Sequence, residues 1–210
     1  GGMQLNKQEI RNALYQGEAT RFLKKMVESD AFIKATGNAF ANEKRMKDKY
    51  LITRFVSFLL YKLNYLEDDE GNPYEYHDDV DDILGRGMDA LNRLGKTESK
   101  DITDLESLVK SALEKSFFYL GEDAFRLKQG GRRNPINMNV FETVMFMMTW
   151  ISGMDERLKR SVQEKYHELV NSEIFKDNIG NHRDSEAKLE WRLEKAIQIG
   201  KTLSNTALGR

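Results

Sequence analysis

YLITRFVSFLLYKLNYL, residues 50–66, is the stretch from which the fold can be read. Leu51, Ile52, Phe55, Val56, Phe58, Leu59, Leu60, Leu63 and Leu66 cover well over half the circumference of a helix. Thr53, Ser57 and Asn64 are confined to a narrow polar strip, with Lys47, Arg54 and Lys62 beside it. A helix this apolar has to be enclosed by other helices. A second stretch of the same kind carries Phe141, Val144, Met145, Phe146, Met147, Met148 and Trp150. Together they predict an all-α fold, a single multi-helix bundle over 1–210 around two very apolar helices (about 45–66 and 139–152) that face one another.

Outward from these two, helical periodicity predicts a jacket of amphipathic helices over 6–17, 18–29, 76–94, 103–120, 155–170 and 185–203. In the first of them Ile10, Ala13 and Leu14 form the apolar side. Three sequences read as capping boxes: Asn6 with Glu9, Thr103 with Glu106, and Asn139 with Glu142. Residues 36–43, 67–73, 128–135 and 177–184 read as loops. Gly85 and Gly87, inside a helical pattern, predict a close helix crossing.

The bulk numbers narrow the classes of function. The 210 residues carry a formal net charge of −1, which removes any global attraction to nucleic acid or acidic membranes. Cysteine is absent, so thiolate catalysis and cysteine-ligated metals are excluded, and a reducing, cytoplasmic setting is expected. Residues 1–20 lack the apolar core of a signal peptide. The longest apolar run, 144–151, is far shorter than the roughly 20 residues of a membrane span.

Motif chemistry is sparse. Asp78, Asp79, Asp81 and Asp82 lack the order of a calcium loop and fit the positive end of a helix dipole. His77, His167 and His182 have no metal-ligand spacing, and no cofactor or metal is expected. There is no phosphate-binding glycine loop of the Gly-x-x-x-x-Gly-Lys type and no Gly-x-Ser-x-Gly elbow. The Met-rich stretch around Met145, Met147, Met148 and Met154 reads as core rather than as an adaptable groove. The clearest irregular basic segment is 126–133, where Arg126, Lys128, Arg132 and Arg133 could contact phosphate, DNA or an acidic surface.

Four segments, in order, resemble one family. They are Leu5-Asn6-Lys7-Gln8-Glu9-Ile10-Arg11-Asn12-Ala13-Leu14-Tyr15-x-Gly17, then Arg45-Met46-Lys47-Asp48 with Leu51 and Arg54-Phe55. Gly121-Glu122-Asp123-Ala124-Phe125-Arg126 and Asn139-Val140-Phe141-Glu142 follow. These are similar to the helical region behind the catalytic part of the GmrS-type, ParB-like proteins, a domain-of-unknown-function family marked by an Asp-Gly-Gln-Gln-Arg motif. The resemblance implies a parent protein that binds and hydrolyses a nucleoside triphosphate and restricts modified or phage DNA, often with a His-Asn-His nuclease half. Neither that motif nor that nuclease occurs here. The chain is therefore expected to be a fragment, non-catalytic by itself, that scaffolds or relays to the ParB-like NTPase domain of the same parent protein. Arg11, Asn12, Arg45 and Asp48 are the positions expected to face that domain or its nucleotide. The alternative expectation is a DNA- or phosphate-contacting module working through 126–133. Homo-oligomerisation is compatible with either, and no membrane partner is expected.

Overall fold

The computed structural model describes residues 3–97, 99–127 and 133–207. Ten α-helices follow in chain order: α1 (Lys7–Leu14), α2 (Glu18–Val27), α3 (Asp30–Ala35), α4 (Lys47–Lys62), α5 (Val80–Thr97), α6 (Ser99–Leu120), α7 (Met138–Thr149), α8 (Lys159–Asn171), α9 (Glu173–Asn178) and α10 (Glu186–Ala207). Short 3-10 turns cover Gly121–Asp123 and Glu156–Leu158. Among the described residues there is no strand, and one isolated antiparallel bridge joins Glu67 to Pro73. No helix of the described residues is long and apolar enough to cross a membrane. The all-α class expected from the two apolar stretches is what the chain adopts.

The chain divides into two compact units, Gly1–Ser29 with Phe40–Leu108, and Asp30–Ala39 with Val109–Arg210. Helix α4 belongs to the first unit and α7 to the second. Periodicity marks a helix as enclosed but does not say which helices enclose it.

In the first unit every residue of 51–60 is buried, including Thr53, Arg54 and Ser57. The helices packed on α4 are α5, α2 and α1. The predicted close crossing is real: a Cβ on Gly87 would lie 2.9 Å from the Cα of Ser57 and nearer still to its side chain. Only a residue without a side chain lets α5 approach α4 at that point. Helix α4 stops at Lys62, four residues before the expected end at 66. Asn64 takes φ +60°, and the N–H groups of Asn64 and Tyr65 return to the carbonyls of Tyr61 (3.0 Å) and Leu60 (2.9 Å). That is a Schellman closure with asparagine in the left-handed position.

The acidic loop expected at 67–73 folds as a tight turn. The Asp68 carboxylate accepts from the N–H of Glu70 (2.9 Å) and of Asn72 (2.8 Å). The capping box of α1 also forms as read, with the Asn6 side chain accepting from Glu9 N and the Glu9 carboxylate accepting from Asn6 N.

In the second unit 139–148 is buried throughout, so the methionines of that stretch are core, while Met154 is exposed. Helix α10 is the chief neighbour of α7, and a Cβ on Gly200 would lie 2.5 Å from the carbonyl oxygen of Met147. Two expected capping boxes are replaced. Helix α7 is capped by Asn137, whose side chain accepts from Asn139 N (3.0 Å) and Val140 N (3.2 Å), which releases Glu142 to the interior. Helix α6 begins at Ser99, so Thr103 lies inside it and Glu106 pairs with Lys25 instead, both within the first unit. Phe117, expected in the buried stripe of α6, is exposed. Helix α9 falls partly on the expected loop 177–184. Its six residues are too few for a periodic signal, although Ser172 caps it through Phe175 N (3.2 Å).

Candidate functional site

The first two family-like segments meet in the first unit. A pocket of about 480 Å³ exists elsewhere, but the one that gathers these segments is about 270 Å³ and is lined by Asn6, Lys7, Gln8, Arg45, Met46, Lys47, Tyr50 and Asp81. Its wall is made by the start of α1, the first turns of α4 and Asp81 in the first turn of α5. Met46 enters α4 with φ +58°, a left-handed residue at a turn that no side chain caps.

Arg45 holds this wall together. Its Nε and Nη2 grip both Glu9 carboxylate oxygens at 2.9 and 3.1 Å, Nη2 also donates to the Gln4 carbonyl (3.0 Å), and the Arg45 carbonyl accepts from Asn6 Nδ2 (2.7 Å). A planar guanidinium against a carboxylate is a directional clamp rather than a point contact. The backbone N–H of Asn6 is the main reason the Glu9 carboxyl titrates below its ordinary value, and Arg45 adds to it. Arg11 is buried. It donates from Nη2 to Asp81 (2.7 Å) and from Nη1 to Gln8 (2.7 Å), and Gln8 in turn donates to Thr53 Oγ1 (3.2 Å). Lys7 pairs with Asp81 as well.

Asp48 and Asn12 stand apart from this pocket. Asp48 sits half-buried in the first turn of α4, accepts from Lys49 N (2.7 Å), and titrates above its ordinary value because burial disfavours the carboxylate. The Asn12 side-chain oxygen is buried without a hydrogen-bond partner among the described residues. The structure thus places Arg45 in the wall and Arg11 buried behind it on Asp81, a hub that the sequence reading assigned only to the helix dipole. Seventy residues separate Asp81 from Arg11, so no local pattern could reveal it. Asp81 and Asp82 do stand in the first turn of α5, as the dipole reading expects, and Asp79 caps that turn by accepting from Asp82 N (3.1 Å).

The basic segment lies in the second unit. Arg126 is buried and donates to the carbonyls of Asn134 and, at 3.1 Å, Thr36. Burial is the main cause that lowers its pKa, with Arg133 contributing. Arg133 bridges Asp123 (2.8 Å) and Glu122 (2.9 Å). Tyr166 Oη donates to the Arg126 carbonyl at 3.2 Å, and burial pushes the Tyr166 phenol up to about 12. Ala124 and Phe125 are buried, and the Phe125 ring meets Phe141 at 4.6 Å between centroids. Arg126 and Arg133 therefore tie the segment to its own unit. Lys128 and Arg132 lie outside the described residues.

The second unit also buries charges that the sequence reading did not single out. Glu142 and Arg192 are both fully buried and 3.7 Å apart, and Arg192 Nη1 donates to the carbonyls of Asn178 (2.8 Å) and Arg183 (2.6 Å). Lys115 Nζ donates to the carbonyls of Met148 (3.1 Å) and Ile151 (2.6 Å) at the end of α7, and burial lowers its pKa. Among the described residues no group of three or more His, Asp or Glu side chains is placed to hold a metal ion.

One feature of α1 has no counterpart in the other helices. The two residues it buries, Gln8 and Arg11, are polar, while Met3, Leu5, Ile10 and Leu14 at and before it are 77, 59, 44 and 74 % exposed. The apolar side that the sequence predicts for this helix exists, and it faces out. Compared with family models, with curated proteins and with solved structures, the chain matches none.

Proposed function

We propose that this chain is a non-catalytic helical domain of a GmrS-type, ParB-like defence protein. It docks on the NTPase domain of the same parent protein and scaffolds or relays to it. The observation that carries the reading is the inverted helix α1. Apolar side chains gain free energy when removed from water, at about 25 cal/mol per Å². A helix that turns Ile10 and Leu14 outward and Arg11 inward leaves that gain to a partner. The same residues lie in the segment that resembles the junction behind the ParB-like domain. Arg126 and Arg133 spend their donors inside the second unit, which leaves a DNA-contact role to Lys128 and Arg132.

The test is calorimetric titration of this chain with a separately produced domain bearing the Asp-Gly-Gln-Gln-Arg motif. The double variant Ile10→Asp/Leu14→Asp should weaken association by at least about tenfold, or 1.4 kcal/mol. It should leave thermal stability within about 0.5 kcal/mol of the parent chain, because both side chains are exposed. No binding by the parent chain, or equal binding by the variant, rejects the reading.

A further inference from the structure

The side chains that α1 buries against the first unit, Gln8 and Arg11, are both polar. Asp81 takes Arg11 at 2.7 Å and also takes Lys7, Glu9 takes Arg45 at 2.9 and 3.1 Å, Gln8 reaches Thr53 at 3.2 Å, and Asn6 reaches the Arg45 carbonyl at 2.7 Å. Against these, no apolar side chain of α1 is buried. Such contacts exchange for contacts with water at small net cost, whereas exposing packed hydrocarbon is expensive. The Lys7–Asp81 pair faces solvent, its side chains 78 and 44 % exposed, so salt screens it, whereas Arg11 and Glu9 are 6 and 13 % exposed.

The connection to α2 is built to stay in place when α1 leaves. Asn92 on α5 accepts from Ala19 N at 2.9 Å and donates to the Tyr15 carbonyl at 3.4 Å. Gly17 takes φ +138°, a conformation open to glycine, and a Cβ there would lie 2.7 Å from Asn92 Oδ1. Tyr15 lies against Gly85, where a Cβ would come within 2.8 Å of the phenol oxygen. Residues 15–17 are therefore pinned to α5 while residues 3–14 depend on the polar contacts.

We propose that α1 is a detachable strap, latched through Asp81 and Glu9 and hinged at residues 15–17, that opens as one piece while α2, α4 and α5 stay packed. Opening frees Arg11 and Lys7 from Asp81 and Arg45 from Glu9, and brings the buried side chains of Gln8 and Arg11 to solvent. The inference stands without the docking reading, because it is tested on this chain alone.

Hydrogen exchange followed by mass spectrometry on the full chain decides it. The hydrogen-bonded amides of α1 should exchange at least about 100-fold faster than those of 51–60, as local opening does relative to core opening. Raising sodium chloride from about 0.01 M to about 1 M, which shortens the Debye length from about 30 to about 3 Å, should speed α1 severalfold and leave 51–60 unchanged. Asp81→Asn should speed α1 by about tenfold and blunt its salt response, with α4 protection retained. Should that variant unfold, Glu9→Gln provides the same reading from the Arg45 side. Protection of α1 equal to that of α4, or an α1 rate indifferent to salt and to both variants, overturns the strap.

Discussion

Helices α4 and α7 are each buried on all sides over ten successive residues, 51–60 and 139–148, and each is crossed closely by a helix bearing a glycine, Gly87 or Gly200. They differ in how their ends are closed. In α4 the buried guanidinium of Arg54 lies 5.9 and 5.3 Å from the ring centroids of Tyr50 and Phe58, one turn away on either side in the same helix. The end of α4 closes on its own chain through Asn64. In α7 the buried charge, Glu142, faces Arg192 of α10, and the last carbonyls take Lys115 of α6. The Trp150 carbonyl takes Ser204 of α10 at 2.8 Å. The end of one rod is closed by its own chain and the end of the other by neighbours in space.

This contrast predicts where the second unit is vulnerable. The largest effect is expected at the buried pair. Glu142→Ala should cost about 3–5 kcal/mol in denaturant unfolding of the second unit, because it removes a carboxylate that lies 3.7 Å from a buried guanidinium. Glu142→Leu with Arg192→Met should recover part of that loss, since both charges then leave the interior. A single substitution costing less than about 1 kcal/mol would mean the pair is not what holds α10 to α7.

Next come the crossings. Alanine favours a helix by roughly 1 kcal/mol over glycine, yet Gly200→Ala and Gly87→Ala should each destabilise by about 1–3 kcal/mol through overpacking. Gly200→Ala should cost more, because its nearest atom is a backbone oxygen at 2.5 Å that no rotamer can move. For Gly87 the nearest atoms belong to the Ser57 side chain, so Ser57→Gly should relieve part of the loss. Equal costs with no relief would break the comparison.

The smallest effect is a pH dependence. The Lys115 amine is held below its unfolded value of 10.5 by burial. In the window between the lowered folded value and 10.5 the unfolded chain binds more protons, so stability rises with pH. That contribution is complete above 10.5 and is lost as pH falls through the folded value. Thermal midpoints of the parent chain and of Lys115→Met should therefore separate in favour of the parent across this alkaline window. Parallel curves would show that the amine remains effectively solvated.

The same division between sequence neighbours and spatial neighbours explains what could be read in advance. The capping box at Asn6 and Glu9 and the glycine crossing at Gly87 were legible, because each is a local pattern with one structural meaning. The capping reading at Asn139 and Glu142 failed because Asn137 supplies an equally good acceptor two residues earlier, and a buried arginine from α10 gives Glu142 another use. At the candidate site Arg11 and Arg45 were legible as positions of interest. Their partners Asp81 and Glu9 were not, since ion pairing across 70 and 36 residues leaves no period in the chain.

By itself, the order of residues determined that this protein is all-helical, with two segments too apolar to face water, because burial on every side requires an uninterrupted ring of hydrocarbon. Only the tertiary structure decided that each segment belongs to a unit of its own and that α1 turns its polar side inward. Periodicity describes the faces of a helix, whereas the direction each face points depends on which distant charges are waiting for it.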